Sequence, residues 1–163
     1  MDTSNYYPLR DGHIKALDAG QVQSVWVSEQ LGRPIVKAWN SIYMDSFARL
    51  NTPKGSPDRI AIPVAADRPA DRQVGMAIVE DTGFDAFDAG PIAESWRQEP
   101  GAPCYCTDLT LAELPAALAA AEKARLPKRR DLAWAVMAER FDGRIPTDAD
   151  APAVIRIARA LYL

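Results

Sequence analysis

The sequence predicts an α/β fold in which a parallel sheet is followed by a helical C-terminal segment. Two observations carry this. Short β-branched runs alternate with segments of helical periodicity over the first two thirds, and beyond residue 107 apolar residues recur at helical spacing almost without interruption. Composition agrees: 163 residues with 48% apolar and 25% charged side chains suit one globular domain of ordinary size. A chain of this length buries roughly 68–70% of its unfolded surface, enough for a core without staples.

Residues 1–20 are rich in turn formers, as in "NYYPLRDG". "SVWVSEQLG", 24–32, reads as a short helix or an irregular turn ending at Gly32. "PIVKAW", 34–39, reads as a strand, and Asn40 or Ser41 can cap the helix that follows. "NTPKGSPD", 51–58, is a loop by composition, and "RIAIPVAAD", 59–67, is a strand. A helix starts near Pro69, with Val74, Ala77 and Ile78 on one face, and stops at Gly83. "FDAFDAG", 84–90, returns as a strand, which completes a βαβ unit and implies a parallel sheet.

The remainder reads as three helices. "TLAE" fits a capping box of Thr110 with Glu113, and Pro115 either breaks that helix or marks its first turn. Trp134, Met137 and Phe141 share a face of the next, which ends at Gly143. Val154, Ile157, Ala158 and Leu161 form the stripe of the last. These stripes are expected to be core.

Several function classes drop out. A net charge of −3 and a pI near 5.2 argue against nucleic-acid binding, which needs a basic face. Cys104 and Cys106 are too close for an ordinary disulfide and lack partners for a zinc site, so reduced thiols are expected. No apolar run is long enough to cross a membrane, and the polar N-terminus has no signal-peptide core, so a cytoplasmic protein is expected. A hydrolase finds no nucleophile elbow and no histidine with a placed carboxylate. The only histidine, His13, reads as a surface side chain. Trp96 and Arg97 read as sealing a helix end, and Lys128, Arg129 and Arg130 as a solvated helix start.

Lys37 and Asn40 stand out. Strands of a parallel sheet are buried on both faces, so polar residues belong at their carboxyl ends, where ligands of open α/β sheets bind. Lys37, Asn40 and Asp67 all fall at such ends. Each has a structural alternative: Lys37 reaching solvent, Asn40 or Asp67 capping a helix.

Three ordered blocks carry a resemblance: Asp2-Thr3-Ser4-Asn5, Val36-Lys37-Ala38-Trp39-Asn40, and the segment from Gly83 to Gly90 with Asp88 within it. Together they resemble the reductases that pass hydride between NADP and a deazaflavin cofactor, and the oxidoreductase domain of the six-transmembrane epithelial antigen metalloreductases. The resemblance covers roughly residues 1–107, with 108–163 as a helical tail packing on them. It implies the second half of a Rossmann-like NADP-binding fold and a flavin or deazaflavin acceptor. It also implies Thr3, Ser4 and Asn5 beside the nicotinamide, with Asn40, Pro91 and Ile92 as the wall of the acceptor pocket. No acid–base residue is required, because the cofactor carries the chemistry. The chain has no G-x-G-x-x-G turn to seat a pyrophosphate. The expectation is therefore either a truncated reading frame or a half-domain that pairs with a second copy or another chain through an open sheet edge.

Overall fold

The computed structural model describes residues 1–163 and gives a mixed α/β fold. Short helices α1 (Pro8–Asp11), α2 (Lys15–Asp18) and α3 (Gln23–Leu31) come first, and Gly32 closes α3 in the left-handed region at φ 61°. Then come α4 (Met44–Arg49), β1 (Ala61–Val64), α5 (Pro69–Asp81) and β2 (Asp85–Asp88). A 3-10 segment, Ile92–Gln98, leads to α6 (Leu114–Ala119), α7 (Leu126–Arg140) and α8 (Ala151–Tyr162). No helix is long and apolar enough to cross a membrane.

The βαβ unit is present. β1 and β2 pair in parallel, with Ala61 opposite Asp85 and Val64 opposite Asp88. The expected strand at 34–39 is reduced to one bridging residue. Lys37 pairs antiparallel to Ala65 through two backbone hydrogen bonds, at 2.8 and 3.0 Å, and bridges Asp2 in parallel on its other side. This segment therefore runs against β1, and Asn40 lies toward the amino end of β1 rather than at the carboxyl end expected from the sequence. Pro63 explains the shortening. The amides of Ala61 and Ala65 point away from β2, to Leu109 and Lys37. By the two-residue period of a strand the nitrogen of Pro63 points the same way and has no hydrogen to give. Beyond Lys37, Trp39 at φ 57° ends the extended run.

α5 lies on the sheet through a different face from the one its apolar pattern suggests. Val74 and Ile78 are 60% and 40% exposed, whereas Gly75 and Val79 are buried. A Cβ on Gly75 would lie 2.7 Å from Val36 Cγ1, so the helix approaches the sheet through its missing side chain. A glycine is invisible to a count of apolar residues, which is why the stripe misleads.

Two core clusters flank β1. Ile60, Ile62 and Val64 pack with Val79 and Phe84, while Ala61 packs with Leu109, Leu114, Leu118 and Leu126. A third joins Tyr105 and Cys106 to Ala133, Ala158 and Tyr162, and so docks α7 and α8 onto the turn after the 3-10 segment. Gly101 allows that turn to close. At φ 94°, a Cβ there would sit 2.3 Å from the Leu126 carbonyl oxygen. The Thr110–Glu113 contact forms, but α6 begins after it, with Pro115 in the first turn.

Candidate functional site

Lys37 does not face a site, and it does not reach solvent. Its side chain is fully buried, and Nζ donates to Asp2 Oδ2 at 3.1 Å and to the Ser4 carbonyl. Asp2 Oδ2 also accepts from Ser24 Oγ at 2.7 Å, and Oδ1 accepts from the Ser4 amide and hydroxyl at 2.9 and 2.7 Å. Burial pushes the Asp2 carboxyl up. The Lys37 ammonium and the serine hydrogen bonds outweigh it and hold the group below the usual carboxylate range. The lysine is a clamp on the Thr3–Asn5 loop.

Asn40 caps nothing, since α4 starts after Tyr43 without a side-chain cap. It is buried and joins three segments. Nδ2 donates to Asn5 Oδ1 at 3.1 Å and to the Gln98 carbonyl at 2.6 Å. Asn5 Nδ2 donates to the Asn40 carbonyl at 2.7 Å, and Gln98 Nε2 to Asn40 Oδ1 at 3.1 Å. The structure thus brings Asn5 and Asn40 to one wall of a cleft of about 340 Å³. That volume is at the lower end of the range for small-molecule sites, about 300–1,000 Å³.

The opposite walls are aromatic. Tyr7 and Trp134 pack with ring centroids 5.4 Å apart, and the Tyr7 hydroxyl donates to that of Tyr105 at 3.0 Å. Tyr43, Tyr162 and Met137 complete the enclosure. Burial, with the neighbouring Cys106 adding to it, holds the Tyr7 and Tyr105 phenols well above their ordinary value, and burial likewise pushes up the Cys106 thiol. All three are neutral at physiological pH. Trp39 and Cys106, two of the four non-glycine residues with positive φ, both line this cleft. Left-handed backbone is retained where the surroundings over-determine it, which is a feature of ligand sites.

A second hollow, of about 240 Å³, lies behind the same loop, lined by Ser4, Asn5, Tyr6, Arg10 and Trp26 among others. Its size suits a single ring. No glycine-rich turn lies in the chain to take a pyrophosphate.

The other expected residues fall elsewhere. Thr3 is exposed, and Ser4, also exposed, lines the second hollow but not the aromatic cleft. Pro91 and Ile92 do not line the cleft: Pro91 is exposed, and Ile92 packs on Ile35 and Ala65. The 3-10 segment explains the separation, since its far end, at Gln98, is what reaches Asn40. Asp67 accepts the Ile92 amide at 3.0 Å instead of capping α5. Arg97 donates to the Leu118 carbonyl at 3.2 Å and does seal a helix end. Arg130 is buried rather than solvated, with its guanidinium over the Tyr6 ring. His13 is an exposed side chain paired with Asp18 at 2.9 Å, and both cysteines are free.

Gln98, Tyr105, Cys106 and Trp134 are the residues that sequence reasoning missed. Trp134 sits on a helical stripe that reads as core, and nothing local marks the others.

No known family model matches the chain. It is similar to the Escherichia coli (strain K12) protein YjhV, 51% identical over an alignment of 79 residues, with 46% of this chain covered. The chain spans 58% of that relative's length. Among solved structures it resembles the hypothetical protein SMa0349 from Sinorhizobium meliloti, with a TM-score of 0.57 and 22% identity. That match covers 67% of this chain and 53% of the other, and it supports the α/β fold.

Proposed function

We propose that this chain provides the acceptor-binding part of an NAD(P)-dependent oxidoreductase, which passes hydride between a nicotinamide and a flat redox partner. The observation that carries the reading is the meeting of Asn5 and Asn40 at one wall of the aromatic cleft. They come from two of the blocks that together carry the resemblance to those reductases. In this reading Asn5 separates the two hollows, the smaller suited to the nicotinamide ring and the larger to the acceptor. Flavin and deazaflavin are the acceptors the resemblance implies.

The test is a titration of NADPH into the full chain, read by energy transfer from Trp26, Trp39 and Trp134 to the nicotinamide. Saturable binding in the micromolar range supports the reading. A folded sample that shows none overturns it for this chain.

A second reading has its own support. Val74 and Ile78 leave an apolar strip exposed on α5, and Met1 beside it is 56% exposed. A half-domain that docks on another chain would cover that strip. It predicts a stable oligomer without nicotinamide binding.

A further inference from the structure

The aromatic cleft is lined by no carboxylate. Its charged side chains, Arg10 and Arg130, differ in what holds them. Arg10 is half exposed, and both oxygens of Asp11 accept from it, at 2.6 and 2.9 Å. Arg130 is only 9% exposed. Its Nε donates to Asp131 Oδ1 at 2.8 Å, and its terminal nitrogens donate to no protein atom. Asp131 is 55% exposed and takes no part in the lining. A buried guanidinium with one edge unpaired is expensive to keep, so the hydrogen bonds of that edge must come from what enters the cleft. The Tyr162 hydroxyl also lacks a protein partner, in a side chain 4% exposed. Burial holds that phenol above its ordinary value; Tyr7 and Cys106 add to this and the Arg130 charge opposes it, so the four groups share one floor. Near the mouth, Asp45 and Asp150 are each paired with an arginine, Arg49 and Arg144, and Asp148 faces solvent.

The unpaired edge of Arg130 sets the head group. Two parallel terminal N–H groups match the two oxygens of a carboxylate. A phosphate dianion brings a second charge, and the lining has no second free guanidinium and no glycine-rich turn to meet it. Tyr7 and Trp134 offer faces to a flat body, and a cleft of about 340 Å³ suits a small fused ring. We infer that the cleft binds a flat organic carboxylate, its ring against Tyr7 and Trp134 and its two oxygens on the terminal nitrogens of Arg130. Under the hydride-transfer reading, on which this rests for the ligand's role, the acceptor carries that carboxylate. The binding itself stands on the cleft alone.

The experiment is isothermal titration of the full chain with naphthoate, naphthamide and naphthyl phosphate, in the absence of any nicotinamide. The three probes share a ring and differ in head group. Naphthoate is expected to bind with Kd below about 100 µM, naphthamide at least about tenfold more weakly, and naphthyl phosphate more weakly than naphthoate. Arg130→Met is expected to weaken naphthoate by about tenfold and to leave naphthamide unchanged, which shows in the same sample that the ring site is intact. The comparison of acid with amide on the wild-type chain needs no variant and decides the matter if that one fails to fold. Absence of naphthoate binding, naphthamide or naphthyl phosphate binding as tightly as naphthoate, or naphthoate binding that a folded Arg130→Met leaves unchanged would overturn the inference. If naphthoate binds as expected while the NADPH titration shows nothing, the ligand class stands and the oxidoreductase reading falls. If NADPH binds and naphthoate does not, the reverse holds.

Discussion

Asn40 divides two regions of opposite character. On its sheet side, Lys37, Asp2, Ser24 and Ser4 form a buried polar knot in which both carboxylate oxygens and the ammonium have partners. On its helix side, the tyrosine and tryptophan walls enclose open volume. The difference separates structure from site. A buried charge is retained where its partners are complete, because an unpaired one is expensive. Open volume persists where rigid aromatic walls keep the surrounding elements from closing. The polar residues that attract attention in the sequence therefore hold the loop, and the plain apolar ones form the cleft.

Removing the knot should have the largest effect. Lys37→Met leaves Asp2 buried without its cation and is expected to cost about 3–5 kcal/mol in urea unfolding near neutral pH. A loss under about 1 kcal/mol would mean that the knot does not hold the loop.

Titration of Asp2 sharpens the same contrast. Its folded carboxyl lies below the unfolded value of 3.8, so the aspartate's contribution is fully present above that pH, while burial lowers the Lys37 ammonium from 10.5 and bounds the pair from the alkaline side. The aspartate's contribution fades as pH falls through the lower folded value. Without the Lys37 cation, burial raises the Asp2 carboxyl in the variant, so the stability gap between wild type and Lys37→Met should begin to narrow above pH 3.8 as the pH falls and go on narrowing below it. A gap that stays constant there would show that the aspartate is not the partner that matters.

The border residue comes next. Asn40→Ala removes hydrogen bonds to Asn5 and Gln98 and should cost about 1–3 kcal/mol. If the two hollows share that wall, ligand affinity should fall with it. Unchanged affinity in a folded variant would detach Asn40 from the site.

The smallest effects are expected at the surface. Val74→Lys together with Ile78→Lys should change stability by about 0.5 kcal/mol or less. A shift from oligomer to monomer in the same variant, measured by light scattering, would favour the docking reading. Cys106 lines the cleft, yet its raised thiol should resist iodoacetamide in the native protein at pH 8. Rapid labelling there would mean that the cleft opens more widely than its walls suggest.

Much of the architecture was legible from local signals. Gly32 ends α3 where a left-handed residue is needed, Pro69 opens α5, and the βαβ unit follows from two short runs around one helix. The final stripe is also core, with Val154 and Ala158 buried. Part of the candidate site was legible too, since Asn40 drew notice as a polar residue at a strand end and Asn5 through the resemblance. The rest was not. Tyr7, Tyr105 and Trp134 come from segments far apart in the chain, and each alone reads as ordinary apolar filling.

By itself the sequence determined the order and type of most elements, because caps, prolines, glycines and periodicity act within a few residues. Only the tertiary structure decided that Lys37 is locked inside, that α5 rests on Gly75, and that Ile92 turns away from Asn40 while Gln98 turns toward it. Those outcomes depend on close approach between distant segments. A buried ammonium finds its carboxylate 35 residues away, and a helix settles where a missing side chain lets it come closest.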